Sequence, residues 1–190
     1  MTNVICDESC LKADYNITKR QVKLLVDIDG CICEYNFPQL VKNFFGVDLS
    51  SQAIFAYDLA DVLGVSNKLI DIMFRDIVFG KANFIDGSLD VLNEWWDKGY
   101  DIGIFSNRVK YMGNFELMKW LKGNKIPFHG IDVKGSGTYN FHIDDSPGKL
   151  ASTMSGVKIL FNQPWNRRCY DIKKQFVRVS SWGEIKDIVG

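Results

Sequence analysis

The stretch Lys23-Leu24-Leu25-Val26-Asp27-Ile28-Asp29-Gly30 constrains this chain more than any other: an apolar run stops at two aspartates one residue apart and then a glycine. Side chains alternate faces along a strand, so carboxylates at i and i+2 at a strand end point the same way and repel each other. A divalent cation or chemistry on a phosphate group accounts for such a pair. The alternative is that both acids only solvate the start of a loop. Gly30 lets the backbone turn sharply away and approach a ligand closely, which an ordinary capping aspartate does not require.

Three more apolar runs end in polar groups of the same kind. Tyr100 to Phe105 delivers Ser106-Asn107-Arg108, Phe128 to Val133 delivers Lys134, and Phe141-His142-Ile143 delivers Asp144-Asp145-Ser146-Pro147. In an open parallel sheet, functional groups gather beyond the carboxyl ends of the strands, so these four endings can converge on one crevice.

Helical patterns separate the runs. Ser88 can start a helix with Leu89, Leu92 and Trp96 toward the sheet and Gly99 as its stop; a second runs near Asn114 to Lys122, and a third follows Pro147. Strands at Val157 to Phe161 and Phe176 to Val179 follow, and Ser181 with Glu184 forms a capping box for a last helix. Strands alternating with helices predict an α/β fold, a parallel sheet covered by helices on both faces. Residues 1–20 are polar and irregular, an N-terminal arm, and the core takes 21–34 and 85–190. Between them about fifty residues carry no sheet strand, too long for a structureless loop, so 35–84 is expected to be a small helical cap inserted after the first core strand. Its helices are Gln39 to Phe45, stopped by Gly46, and a longer run capped by Ser66 through Leu69, Ile70, Met73 and Ile77 to Gly80.

Composition narrows the class of partner. Of 190 residues 46% are hydrophobic, enough for one buried core and a small appended element. Lys plus Arg and Asp plus Glu are 23 each, so the basic excess of a long nucleic-acid binder is missing and a small nucleotide is the better partner. The five cysteines Cys6, Cys10, Cys31, Cys33 and Cys169 form no CxxC pair and are odd in number, which reads as free thiols in a reducing compartment. Cys31 and Cys33 flank the acidic pair, so their oxidation is expected to hinder it. No leader pattern or segment of ~20 apolar residues is present, so the expected location is the cytoplasm, with no membrane partner. His142 is expected to fill the other face of its strand and His129 to be exposed.

Taken together, DxDG, then Ser, then Lys, then DD resemble the four motifs of the haloacid dehalogenase superfamily of phosphohydrolases. Within it the chain is most similar to the 5'(3')-deoxyribonucleotidases. That similarity continues through Leu160 to Gln163, Trp165-Asn166-Arg167 and Val179 to Ile185, and includes Lys134 ten residues before Asp144. The resemblance implies a Rossmann-like core and a Mg²⁺-dependent phosphomonoester hydrolase. Asp27 would be the nucleophile that forms an aspartyl phosphate, and Asp29 the acid and then the base. Mg²⁺ would be held by the Asp27 carboxylate, the Asp29 backbone carbonyl and Asp145, with Asp144 orienting water or Lys134. Ser106, Asn107 and Lys134 would bind phosphate.

The cap is rich in aromatics, namely Tyr35, Phe37, Phe44, Phe45, Phe55, Tyr57, Phe74, Phe79 and Phe84, most of them expected as its core. Tyr35 is the exception: eight residues after Asp27, it stands where the deoxyribonucleotidases place a ring against the base, and stacking tolerates any base. Arg108 is a second expected contact to substrate. Glu34, Asn107 and Ser146 depart from the family's pattern and leave base and sugar preference open. Dehalogenation is disfavoured because it needs no proton donor to its leaving group, and phosphomutase chemistry because nothing provides for return of the phosphoryl group. A phosphatase for nucleic-acid 3' ends or phosphoproteins and a non-catalytic nucleotide-binding module are the alternatives. The pattern is compatible with a monomer or a homodimer.

Overall fold

The computed structural model describes residues 21–49, 59–78, 80, 83–167, 169 and 175–190. The expected arm at 1–20, Cys6 and Cys10, and the aromatics Phe55, Tyr57 and Phe79 lie outside the described residues.

The first apolar run forms strand β1, Lys23–Val26. Leu24, Leu25 and Val26 are all fully buried, as happens when helices cover both faces of a parallel sheet. After it come β2 (Cys33–Glu34), β3 (Asn83–Phe84), β4 (Asp101–Ile104), β5 (Gly130–Ile131), β6 (Thr138–Asp144), β7 (Met154–Phe161) and β8 (Val177–Val179). Six of these form one sheet in the order β5-β4-β1-β6-β7-β8, with every neighbouring pair parallel. The short strands β2 and β3 pair antiparallel in a separate two-stranded sheet.

Helix α1 (Phe37–Phe45) is capped by Asn36, whose side chain accepts the Gln39 N–H at 3.2 Å, and it ends at Gly46. Then come α2 (Leu59–Leu63) and α3 (Asn67–Val78); α2 has no counterpart in the sequence reading. Val41, Leu59, Ala60, Ile70 and Met73 bury one another in a cluster of their own, with Phe37, Phe45 and Phe74 packed around it. Phe44 is exposed. Between β2 and β3 the chain thus builds a small helical body whose two ends are tied together by that pair of strands.

Helix α4 (Ser88–Asp97) buries Val91, Leu92 and Trp95 rather than Trp96. The helical step from Ser88 and Leu92 leads to Trp95, which leaves Trp96 41% exposed and stacked on the His129 ring, with centroids 4.3 Å apart. Helix α5 (Arg108–Gly123) contains the expected segment, but starts six residues earlier and is broken at Gly113, where φ 75° and ψ 164° suit a residue without Cβ. Helix α6 (Pro147–Ser152) and α7 (Trp182–Val189) complete the set. The Ser181 side chain accepts the Glu184 N–H at 3.2 Å, and the Glu184 carboxylate accepts the Ser180 N–H at 3.1 Å. The expected strand from Phe128 to Val133 shrinks to Gly130–Ile131 at the sheet's edge, while the strand ahead of Asp144 begins earlier, at Thr138. Among the described residues no helix is long and apolar enough to cross a membrane.

Candidate active site

Register explains how the acids meet. Val26 pairs with Ile104 on one side and Ile143 on the other, so Asp27 leaves β1 level with Phe105 and Asp144. The Asp27 N–H donates to Ile143 O at 3.0 Å, and the Phe105 N–H to Val26 O at 3.0 Å. Adjacent parallel strands lie about 4.8 Å apart, which brings the two acidic tips together. Asp27, Asp144 and Asp145 each offer a carboxylate oxygen within 4.8 Å of the others', and all three residues are buried.

Three buried carboxylates in one place demand compensation. Lys149 provides part of it: its Nζ lies 2.9 Å from Asp27 Oδ2 and 3.7 Å from Asp144 Oδ2. Burial pushes the Asp27 carboxyl up to about 7, Lys149 opposing and Asp144 and Asp29 adding to the rise. Burial and the neighbouring Asp27 and Asp144 likewise hold Asp145 well above the usual carboxylate range. Asp27 Oδ1 and Asp144 Oδ2 are buried without a hydrogen-bond partner. Three buried carboxylates with oxygens within 4.8 Å of one another, two of their oxygens lacking a hydrogen-bond partner, fit a hard divalent cation such as Mg²⁺.

The lysine beside Asp27 is therefore Lys149, which the sequence reading missed. Lys134, expected in that role, is exposed, and among the described residues its ammonium makes no ion pair. Two features hold it away. Its strand, β5, is the sheet edge, two positions from β1. Its loop is also wound around Asp132, whose Oδ1 accepts the Lys134 N–H at 3.2 Å and whose Oδ2 accepts the Gly137 N–H at 3.0 Å. A signal for Lys149 does exist in the chain. Ser146 caps α6 and Pro147 opens it, which places Lys149 in the first turn with its N–H on Ser146 Oγ at 3.4 Å and its side chain turned back to Asp27. The Ser146 N–H donates in turn to Asp144 Oδ1 at 2.8 Å.

Asp29 leaves the turn on the other side and meets Arg108. The guanidinium donates through Nε to Oδ1 at 3.0 Å and Oδ2 at 3.1 Å, and through Nη2 to Oδ1 at 2.9 Å. Nη2 also donates to the Tyr35 hydroxyl. Arg108 is 1% exposed, and its Cζ lies 3.9 Å from the centroid of the Trp120 ring. Burial works against the cation, yet its pairing with Asp29 outweighs that and holds it above its usual range. Burial, followed by Asp29, raises the Tyr35 phenol, with Arg108 opposing. Ser106 is buried beside this pair, its Oγ accepting the Arg108 N–H at 3.3 Å. Asn107 stands exposed at the start of α5.

The turn that carries the acids is held by its carbonyls. Gln163 Nε2 donates to Gly30 O at 2.8 Å, Trp182 Nε1 to Cys31 O at 2.8 Å and Ser88 Oγ to Ile32 O at 3.2 Å. Trp165 Nε1 donates to Asp145 Oδ2 at 2.7 Å, and buried Asn166 donates to Asp145 O at 2.8 Å. The segments after the last acidic motif are thus the scaffold of that motif. Gly30 has φ +80°, and a Cβ there would stand 2.3 Å from Asp145 Oδ2. Cys31 and Cys33 are fully buried. Burial raises both thiols, Cys33 to about 12, so they stay protonated and inert rather than poised for oxidation. His142 is buried too, its Nδ1 2.7 Å from Thr153 Oγ1 and its Nε2 3.4 Å from Asp144 Oδ2.

From the helical body, Phe37 packs edge-on against Trp165, with centroids 5.0 Å apart, and against Tyr35 at 5.9 Å. Asp71 of α3 accepts from Lys110 Nζ at 2.7 Å and from the Tyr111 hydroxyl at 2.7 Å, both on α5. Both contacts draw the helical body toward the crevice.

Known proteins share the fold of this chain. No curated protein matches the chain. Among solved structures, a haloacid dehalogenase superfamily hydrolase from Ehrlichia chaffeensis is 13% identical, with a TM-score of 0.55 over 88% of this chain and 95% of that one. A haloacid dehalogenase-like family hydrolase from Streptococcus pneumoniae is 11% identical, with a TM-score of 0.56 over 88% and 98%. A haloacid dehalogenase-like hydrolase from Bacteroides fragilis is 12% identical, with a TM-score of 0.55 over 87% and 100%. At such identities the likeness is one of fold. The family described as "5' nucleotidase, deoxy (Pyrimidine), cytosolic type C protein" matches residues 20–189. With the match running through every strand of the sheet and every acid of the site, the chain belongs to that family of 5'-nucleotidases, hydrolases of phosphoric monoesters on a haloacid dehalogenase fold.

Proposed function

We propose that the protein is a Mg²⁺-dependent 5'(3')-deoxyribonucleotidase that converts deoxynucleoside monophosphates to nucleosides and phosphate in the cytoplasm. The observation that carries this reading is the cluster of Asp27, Asp144 and Asp145, three buried carboxylates around one point with Lys149 as their nearby ammonium. The family match supports a nucleotide as substrate.

In this mechanism a carboxylate oxygen of Asp27 attacks phosphorus, the bond from phosphorus to the sugar oxygen breaks, and an aspartyl phosphate forms. Asp29, protonated at the start of the cycle, gives that proton to the departing sugar oxygen. It then takes a proton from the water that attacks the same phosphorus, releasing inorganic phosphate and restoring Asp27. Lys149 offsets charge on Asp27 and the phosphoryl oxygens, a role the resemblance had assigned to Lys134. The Ser106 hydroxyl and the N–H groups of Ile28 and Asp29 hold those oxygens, the N–H groups of Asp27 and Gly30 being bonded to Ile143 O and Cys33 O. Asp27, the Asp29 carbonyl and Asp145 would hold Mg²⁺, with Asp144 orienting Asp145's surroundings and Lys149. When bound, the ion supplies Lewis-acid neutralisation of phosphoryl charge. Tyr35, with Phe37 beside it and Trp165 against Phe37, is suited to a flat base. The link from Asp71 to Lys110 and Tyr111 favours a covered crevice, and with it a mononucleotide over a polymer end or a phosphoprotein.

Phosphate release measured across a panel of nucleoside and deoxynucleoside monophosphates, with a 3'-phosphorylated oligonucleotide alongside, tests the reading with and without Mg²⁺. Turnover of the deoxynucleotides only with Mg²⁺ is the expected result. Preference for the oligonucleotide overturns the substrate assignment, and silence across the panel favours a binding module.

A further inference from the structure

Arg108 presents a problem the mechanism above leaves unsolved. A guanidinium at 1% exposure has given up its hydration, and it sits in the first turn of a helix, where the backbone dipole disfavours a cation. Neither choice helps α5. What Arg108 does gain is a fork on the Asp29 carboxylate, with three N–H···O contacts between 2.9 and 3.1 Å, a donor bond to Tyr35, and the Trp120 face at 3.9 Å.

The last contact requires a special backbone. Twelve residues along an unbroken helix span about 18 Å, farther than arginine and tryptophan side chains reach together. Arg108 and Trp120 meet because α5 breaks at Gly113, so that the first turn, with Arg108 on it, is set at an angle to the rest and Trp120 comes beneath the guanidinium. The chain therefore accepts a broken helix, a buried cation and a cation in the wrong turn, and all three end on one carboxylate. Asp29 itself is 29% exposed, so Arg108 holds it without closing it off from solvent.

We infer that Arg108, seated on Trp120, is a positioning residue that fixes the carboxylate of Asp29 in the orientation from which it passes a proton to the leaving oxygen. This rests on the phosphomonoesterase reading of the site and gives Arg108 a task other than contacting substrate. A planar fork fixes both the direction and the plane of a carboxylate, which an ammonium does not. With Asp29 loose, nucleophilic attack by Asp27 is still available, and what suffers is protonation of the departing group.

That consequence can be read from the leaving group. Wild type, Arg108→Met, Arg108→Lys and Trp120→Leu are assayed with Mg²⁺ on a deoxynucleoside 5'-monophosphate, whose alkoxide needs a proton, and on p-nitrophenyl phosphate, whose phenolate departs without one. For Arg108→Met, kcat on the nucleotide should fall about 10²-fold or more while kcat on the aryl ester falls less than about tenfold, with KM nearly constant for both. Arg108→Lys should fall between, and Trp120→Leu should show the same split at smaller size. Equal losses on both esters overturn the proposal, as does a rise in KM with kcat preserved, which is the mark of a substrate contact. If a melting curve shows Arg108→Met to be unfolded, the same ratio in Arg108→Lys decides. A wild type that hydrolyses neither ester removes the phosphatase reading as well, whereas an active wild type with parallel losses in the variants removes this proposal alone.

Discussion

Lys149 Nζ lies 2.9 Å from Asp27 Oδ2, although the two residues are 122 positions apart in the chain. The pair joins the first strand of the sheet to the first turn of α6, and it brings the ammonium to the residue that would attack phosphorus.

Lys149→Met should therefore lower kcat/KM by about 10²-fold or more, the scale of losing one preorganised charge at a developing oxyanion. Lys134→Met, at an exposed loop position, should stay within about threefold of wild type. Steady-state kinetics on a mononucleotide compares the two directly, and the reverse ranking would return the role to Lys134.

Asp27→Asn should reduce turnover by on the order of 10³-fold or more, since an amide neither attacks phosphorus nor forms an acyl phosphate. The fold should survive, because the change removes one charge from a crowded, buried set. Melting in Mg²⁺-free buffer should accordingly show no loss of stability relative to wild type.

Chelation of Mg²⁺ should abolish turnover, and adding Mg²⁺ to chelated protein should raise Tm, because a cation that binds only the folded cluster stabilises it by mass action. In Asp145→Asn the Mg²⁺-dependent rise should shrink. Scanning calorimetry with and without the ion checks this independently of activity.

Gly30→Ala should destabilise the protein by about 1–3 kcal/mol through its left-handed conformation alone. The added Cβ, 2.3 Å from Asp145 Oδ2, should also displace that carboxylate. Loss of Mg²⁺-dependent stabilisation together with lowered Tm is the expected signature.

Asp132 gives a pH dependence away from the acidic cluster. Burial would raise its carboxyl, but hydrogen bonds from Gly137 N–H, the Tyr139 hydroxyl and the Ser136 and Lys134 N–H groups hold it below the ordinary 3.8. An acid with a lowered folded-state pKa contributes stability that is complete above its unfolded value and is lost as pH falls through the folded one. Wild type should therefore melt above Asp132→Asn near neutral pH, and the gap should close as pH falls below 3.8.

Much of this was legible in the chain because it is local. The runs before Asp27, Ser106 and Asp144 become β1, β4 and β6, since a short apolar run bounded by polar and turn residues favours an extended strand from its own sequence. Ser181 and Gly46 end up as helix caps for the same reason. The meeting of Asp27 with Asp144 and Asp145 was readable because residues at the ends of parallel strands share one side of the sheet.

Partnerships were another matter, because strand order and helix direction decide them. The motif spacing pointed to Lys134, but β5 lies at the edge while β6 lies beside β1, so the lysine that follows Asp144 and Asp145 reaches Asp27 instead. Likewise nothing in Ser106-Asn107-Arg108 announces that Arg108 would turn inward to fork Asp29, since that depends on a break five residues later at Gly113 and on the tryptophan beyond it. The choice of Trp95 over Trp96 for the core turned on helix phase, which leaves Trp96 41% exposed and stacked on His129, the residue just before β5. Amino-acid order alone established the strands, the caps and the acidic endings, because those follow from periodicity and backbone chemistry within a few residues. Only the folded chain assigned each charge its partner, because Coulomb and hydrogen-bond energies depend on distances of a few ångströms that are set by how the strands are ordered.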